Sequence, residues 1–204
     1  MAKIKLTKNE QKKQKDGLKQ FQRYLPTLQL KKQQLQVVIR QSEREIEEIK
    51  AEQKKHVSSI ESWIAVYGGN TELSPDRSIG NLISIKEISI TKGNVAGVTV
   101  PVFNSLEFND IDYDLRQYPL WVDSALVTLR DNARYDAIIA VLEERIRILS
   151  KELRTTTQRV NLFEKVKIPE AKENIRVIGI YLQDQQTSAV VRGKIAKKKM
   201  VRVS

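Results

Sequence analysis

The chain has 204 residues, with 36 Lys and Arg against 25 Asp and Glu for a formal charge of +11, one histidine and no cysteine. Without cysteine, and with His56 alone, it cannot build a disulfide framework, a structural zinc site, a thiol nucleophile or a multi-histidine metal centre. Charged residues make up 30% of the chain and Gly and Pro only 8 and 5 positions, which suits long solvent-flanked helices better than a multilayer globule.

The opening MAKIKLTKNEQ lacks the apolar core of a signal sequence, and no stretch approaches the roughly 18 consecutive apolar residues of a membrane span, so a cytoplasmic location is expected. The charge is segregated. Residues 1–40 are net +9 and residues 187–204 net +6, leaving the stretch between them net −4. Five glycines and three prolines fall between Gly68 and Pro119. This punctuation predicts three segments: a helix over 1–67, an irregular middle over 68–119, and a second helix with a basic tail over 120–204.

In the first segment, alternating steps of three and four land on Leu18, Phe21, Leu25, Leu28, Lys32, Leu35, Ile39, Ser42, Ile46, Ile49, Gln53, His56, Ile60, Trp63 and Tyr67. A period of 3.5 sustained over so many turns is a coiled-coil seam rather than the broad stripe of a helix on a globular core. At about 1.5 Å per residue, the helix from Leu18 to Tyr67 would span roughly 75 Å. Pro26 lies inside it and predicts a bend or local unwinding.

In the middle, LISIKEISITKGNVAGVTVPVFNSLEF alternates β-branched and polar residues around Gly and Asn. That pattern predicts a hairpin with strands near 83–91 and 98–106, turning through Gly93 to Gly97. Tyr67, Phe103, Phe108, Tyr113, Tyr118 and Trp121 also concentrate here, more aromatics than a small knob can bury alone, so a docking surface is expected.

The second helix repeats the 3.5 period through Tyr135, Ile139, Leu142, Ile146, Leu149, Leu153, Thr156, Val160 and Phe163. Near Ile168 and Pro169 the register slips by one, then resumes at Ala171, Ile175, Ile178 and Leu182, which predicts a bend or unwinding at Pro169. Two seams in one chain bury each other when the chain folds back. The expected fold is therefore mainly α: a long antiparallel two-helix coiled coil with a small hairpin-containing middle at one end and both basic termini at the other.

No catalytic constellation stands out. Gly193-Lys194 lacks the rest of a phosphate loop, TKGNVAG reads as a turn, and there is no HExxH or GxSxG. His56 falls on the seam without titratable partners, and Glu107, Asp110, Asp112 and Asp114 lack the glycine and terminal Glu of a calcium loop. No catalytic residue, cofactor or metal is expected. The lysine runs KKQK and KIAKKK suit any polyanion. They lack the aromatic interleaving of a base-stacking surface, so a nucleic-acid or polyanion-binding coiled coil is kept as the alternative function.

The segment TTTQRVNLFEKVKIP, Thr155 to Pro169, followed by Ile175, Arg176, Ile178 and Leu182, resembles the C-terminal part of the D subunit of the V-type (V/A-type) ATPases and ATP synthases. Leu6-Thr7-Lys8, Gly17, LQLKKQQL over 28–35 and NVAGVTVP over 94–101 extend the resemblance over nearly the whole chain in the same order. Lys32 and Gln33 stand where that family tends to carry Arg and Asp, Gln158 replaces a basic residue, Phe163 a leucine, and Pro26 interrupts a segment usually continuously helical.

The resemblance implies a non-catalytic central-stalk shaft, peripheral to the membrane. It couples ATP hydrolysis or synthesis in a hexameric head of A and B subunits to rotation of the membrane ring and transport of protons or sodium. Its implied partners are that head, the F subunit and a funnel-shaped subunit above the ring, with no nucleic acid and no membrane insertion. The motif and partner-contact residues it implies are Thr7, Lys8, Lys31, Lys32, Thr156, Thr157, Arg159, Asn161, Glu164, Pro169, Arg176, Arg192 and Lys194.

Overall fold

In the computed structural model the described residues are 4–67, 79–114, 116, 118 and 121–203, with side chains described for 4–59, 79–114, 116, 118 and 121–200. The expected seam positions Ile60, Trp63 and Tyr67 therefore lie outside the described side chains. Helix α1 runs Lys8–Tyr67, strands β1 and β2 run Ile85–Val95 and Val98–Phe108, helix α2 runs Val122–Leu162, and α3 runs Ile168–Val203. A 3₁₀ turn, Ile79–Leu82, precedes β1, and a π-helical turn, Phe163–Lys167, joins α2 to α3. The chain divides into two compact units: the segment through Lys32 with that from Arg154 onward, and Gln33–Leu153 between them.

In the terminal unit, α1 begins at Thr7, whose Oγ1 accepts the Glu10 backbone N–H at 3.3 Å. Thr-x-x-Glu is the capping-box sequence, and it satisfies one of the four donors that a helix start leaves unpaired. The helix assignment is continuous across Pro26, whose ring is exposed; the expected unwinding is absent there. A ring on the solvent side displaces no packed neighbour, which leaves the lost hydrogen bond and the contact of the ring with the Gln22 carbonyl as the cost. Phe21 packs against Phe163 with ring centroids 5.2 Å apart, and Gln14 lies beside Asn174, so α1 and α3 run antiparallel. Leu18, Phe21, Leu25 and Leu28 are half-buried, while Thr156, Val160, Ala171 and Ile178 are buried.

Unwinding does occur beside Pro169. Ile168 N–H bonds to Phe163 O, an i to i+5 bond that stores one extra residue in the turn. This is the physical form of the one-residue slip in the sequence. In an ordinary α-helix the Pro169 ring would press on the Lys165 carbonyl, and a wider turn moves that carbonyl clear.

In the central unit the same antiparallel pairing holds between α1 and α2. Leu35 and Leu149 are fully buried with Ile39, and Ile46 packs with Ile139 and Leu142. Ile49, Ile146 and Leu153 are half-buried against these clusters. Burying a side chain of this size contributes about 1.5–3 kcal/mol, so a few such layers hold the helices together. Gln53 donates to Asp136 at 2.8 Å and Lys50 pairs with Glu143 at 3.4 Å on the flanks.

The hairpin is longer than expected and its turn tighter. Val95 pairs with Val98 around Ala96 and Gly97, whose φ angles are 50° and 79°. Two successive positive φ values match the right-handed twist of the strands, and Asn94 Oδ1 accepts the Gly97 N–H at 2.9 Å. Gly93 is a strand residue rather than part of the turn, and a Cβ there would stand 2.9 Å from Val102 Cγ2. The hairpin lies back along the helices of its unit. Val100 is buried against Leu35, Ile39 and Leu149, with Val95, Ala96 and Val98 packed beside it.

Candidate partner-contact surfaces

The aromatics of the middle largely serve an internal purpose. Tyr113, Tyr118 and Trp121 pack around Leu82, Val122 and Leu126, forming a small core at the base of the hairpin. Tyr113 and Tyr118 meet edge to face at 5.4 Å, and the Tyr113 hydroxyl donates to Asp123. That hydrogen bond holds the Tyr113 phenol above its ordinary pKa, with burial and the Asp123 charge acting in the same direction. Phe108 lies under the guanidinium groups of both Arg130 and Arg134, each 5.8 Å from the ring centroid. The docking surface expected from these residues is thus mostly spent on packing; Phe103 is half-buried, and the Tyr67 side chain lies outside the described residues.

What the hairpin leaves open is aliphatic. Ile85, Ile88, Ile90 and Val102 are exposed, with only Lys86, Glu87 and Lys92 among them as charges along β1. Lys86 pairs with Glu107 at 3.2 Å, so the acidic stretch from Glu107 to Asp114 is tied to the hairpin by at least this contact. Among the described residues no group of three or more His, Asp or Glu could hold a metal ion. His56 sits edge-on to Tyr135 at 6.2 Å inside the helix pair.

In the terminal unit the motif segment divides between the two sides of its helix. Thr156 and Val160 face the seam and are buried, and Thr157 is half-buried. Arg159, Asn161, Leu162, Glu164, Val166 and Pro169 are exposed, so the open part of the motif combines polar and apolar groups around the π turn. Arg176 is exposed and forks onto Glu173 at 2.9 and 2.7 Å, which holds the Glu173 carboxyl below the usual carboxylate range.

The start of α1 carries Lys8, Lys12, Lys15 and Lys19, spaced four, three and four residues apart, along one open groove with Gln11 and Gln22. All four lysines are exposed, whereas Lys31 and Lys32 are half-buried. On α3, every side chain from Gln183 to Met200 is exposed, including Arg192 and Lys194, and Val190, Val191 and Ile195 are apolar groups open to solvent there. A relay binds the two helices below this point: Asn174 donates to Gln14 at 3.4 Å, and Gln14 donates to Glu10 at 2.9 Å. Sequence reasoning missed this relay, and the spacing of two amides on separate helices gave no signal of it.

A family model for the D subunit of ATP synthase matches residues 10–198, nearly the whole chain. The chain belongs to the ATP synthase D-subunit family. It is 48% identical over 202 residues to a protein of Borreliella burgdorferi named as the D subunit of V-type ATP synthase, covering 99% of this chain and 97% of that one. Proteins of the same name from Chlamydia abortus and Chlamydia muridarum are 36% and 32% identical over 199 residues; the matches cover 98% of this chain and 94% and 97% of theirs. Among the described residues no helix is long and apolar enough to cross a membrane.

Proposed function

We propose that this chain is the non-catalytic central-stalk shaft of a V-type ATPase or ATP synthase. In this reading it couples nucleotide chemistry in a head of A and B subunits to rotation of a membrane ring and transport of protons or sodium. The observation that carries the reading is the antiparallel helix pairing within each unit, joined to family membership along nearly the full chain. A shaft needs two covalently connected helices gripping each other through a dry seam, so that load on one is borne by both.

Coupling would then be steric and electrostatic. A turning, asymmetric shaft presents different faces to successive catalytic interfaces and biases each by differential contact free energy. The exposed lysines of early α1 and the basic end of α3 supply weak, screened contacts suited to a surface that must slide. The F subunit, the head and a funnel-shaped subunit above the ring are the proposed partners, and the complex is placed on the cytoplasmic side of the membrane. Exposed Arg159, Asn161 and Glu164 and the hairpin aliphatics are the proposed contact groups.

Affinity purification of the tagged chain from its own cells tests this. Recovery of A, B and F subunits supports the shaft; recovery of nucleic acid in their place supports the polyanion-binding alternative.

A further inference from the structure

The π turn between α2 and α3 does more than accommodate a proline. It decides which line of α3 faces α1. With the extra residue stored at Phe163–Lys167, the residues on the seam beyond it are Ala171, Ile175, Ile178 and Leu182, of which Ala171 and Ile178 are 3% and 0% exposed. If the turn were wound as ordinary α-helix, α3 would rotate by about 100°, the angle of one residue, and advance by about 1.5 Å. The positions one residue earlier would then face α1: Glu170, Asn174, Val177 and Tyr181.

That second line is partly apolar and already available. Val177 is 42% and Tyr181 38% exposed, and Asn174 is half-buried with its amide on Gln14. Three further features keep the exchange between lines inexpensive. No residue of the π turn is buried, so rewinding it breaks little packing beyond the Phe21–Phe163 contact. Pro169 contributes no N–H, so the turn's exit has one hydrogen bond fewer to rearrange, while its ring, brought back against the Lys165 carbonyl by α-helical winding, adds to the preference for the observed register at rest. Side chains from Gln183 to Met200 are exposed, so an axial advance of α3 meets no enclosing wall within the unit. Glu170 is the one charge the second line would bring inward, which favours the observed register at rest.

We propose that the π turn is a slip joint: the surplus residue at Phe163–Lys167 lets α3 exchange between two seam registers against α1, one residue apart, with Ala171/Ile178 or Val177/Tyr181 inward. The device belongs to the helix pair itself and does not depend on what the chain is coupled to.

The absence of cysteine allows a direct test on the full chain by oxidative cross-linking. Three double variants are compared: Gln14→Cys with Asn174→Cys for the observed register, Gln14→Cys with Glu173→Cys for the shifted one, and Gln14→Cys with Lys172→Cys as a control facing away in both. The expected result is cross-linking of the first two pairs and not the third, with loss of the 14–173 product when Val166 is deleted so that no surplus residue remains. A 14–173 product no faster than 14–172 would overturn the proposal, as would a 14–173 product that survives the deletion in a chain of unchanged helical circular dichroism. Should the deletion chain lose its helical signal, the comparison of 14–173 with 14–172 in the undeleted chain decides alone.

Discussion

Val100 of the hairpin is buried to the same degree as Leu149 of α2, against which it packs: they are 1% and 0% exposed. The hairpin is therefore part of the core of its unit. Val100→Asp, which places an unpaired charge among Leu35, Ile39 and Leu149, is expected to cost several kcal/mol. Ile90→Ser, on an exposed position, is expected to change stability by less than about 0.5 kcal/mol. Thermal or urea melts of the isolated chain separate the two.

The seam makes a parallel distinction between neighbours. Leu149→Asp or Leu153→Asp puts a charge into the contact with α1 and should destabilise the chain by several kcal/mol. Glu143→Asp changes only an exposed pair with Lys50 at 3.4 Å, an interaction contributing at most about 1 kcal/mol. Indistinguishable melts for the two sets would contradict the antiparallel packing.

Two glycines of the hairpin differ in why they are needed. Gly97 holds φ 79°, and Gly97→Ala should cost about 1–2 kcal/mol through backbone conformation alone. Gly93→Ala meets Val102 Cγ2 at 2.9 Å, a steric cost of about 1–3 kcal/mol. The distinguishing measurement is rescue: Val102→Ala should recover part of the loss in Gly93→Ala and none in Gly97→Ala.

The Tyr113 phenol gives the hairpin base an alkaline limit. Its pKa is raised in the folded state by the hydrogen bond to Asp123, so the protonated form is the one the fold prefers. Stability from this group is fully present below the unfolded tyrosine pKa of about 10 and is lost as pH rises through the higher folded value. Melting temperature should therefore fall more steeply above pH 10 in the native chain than in Tyr113→Phe. Identical alkaline limbs would contradict the assignment.

Much of this fold was legible in the sequence because helical seams are periodic. The steps through Leu35, Ile39 and Ile46 on α1 and Ile139, Leu142 and Leu149 on α2 fall on buried positions, and the one-residue slip before Ala171 marks the π turn. The hairpin was legible from alternation and turn residues. Its docking was not: VTVPVF tells that one face is apolar, yet nothing local tells that Val100 meets Leu35 and Leu149, more than 45 positions away on either side. The aromatic count misled because these rings are used in a core of their own: Tyr113, Tyr118 and Trp121 pack with Leu82, which precedes the hairpin, and with Val122 and Leu126 at the start of α2. Of the bend or unwinding expected at Pro26, the unwinding is absent: α1 keeps its helical winding across it, as a proline whose neighbours hold the helix on both sides can allow.

The central claim is that the basic ends serve contact with the head of a rotary complex. Removing residues 193–204 deletes Lys194, Lys197, Lys198, Lys199 and Arg202 while sparing the buried seam through Ile178 and the docked hairpin. Assembly of the truncated chain with purified A and B subunits, measured beside its affinity for duplex DNA, reads both functions on one variant. The account expects a chain that stays helical, still binds the F subunit, and loses part of its grip on the head with impaired coupling and persisting ATP hydrolysis. Undiminished assembly with the head, together with a collapse of salt-dependent DNA affinity, would contradict it.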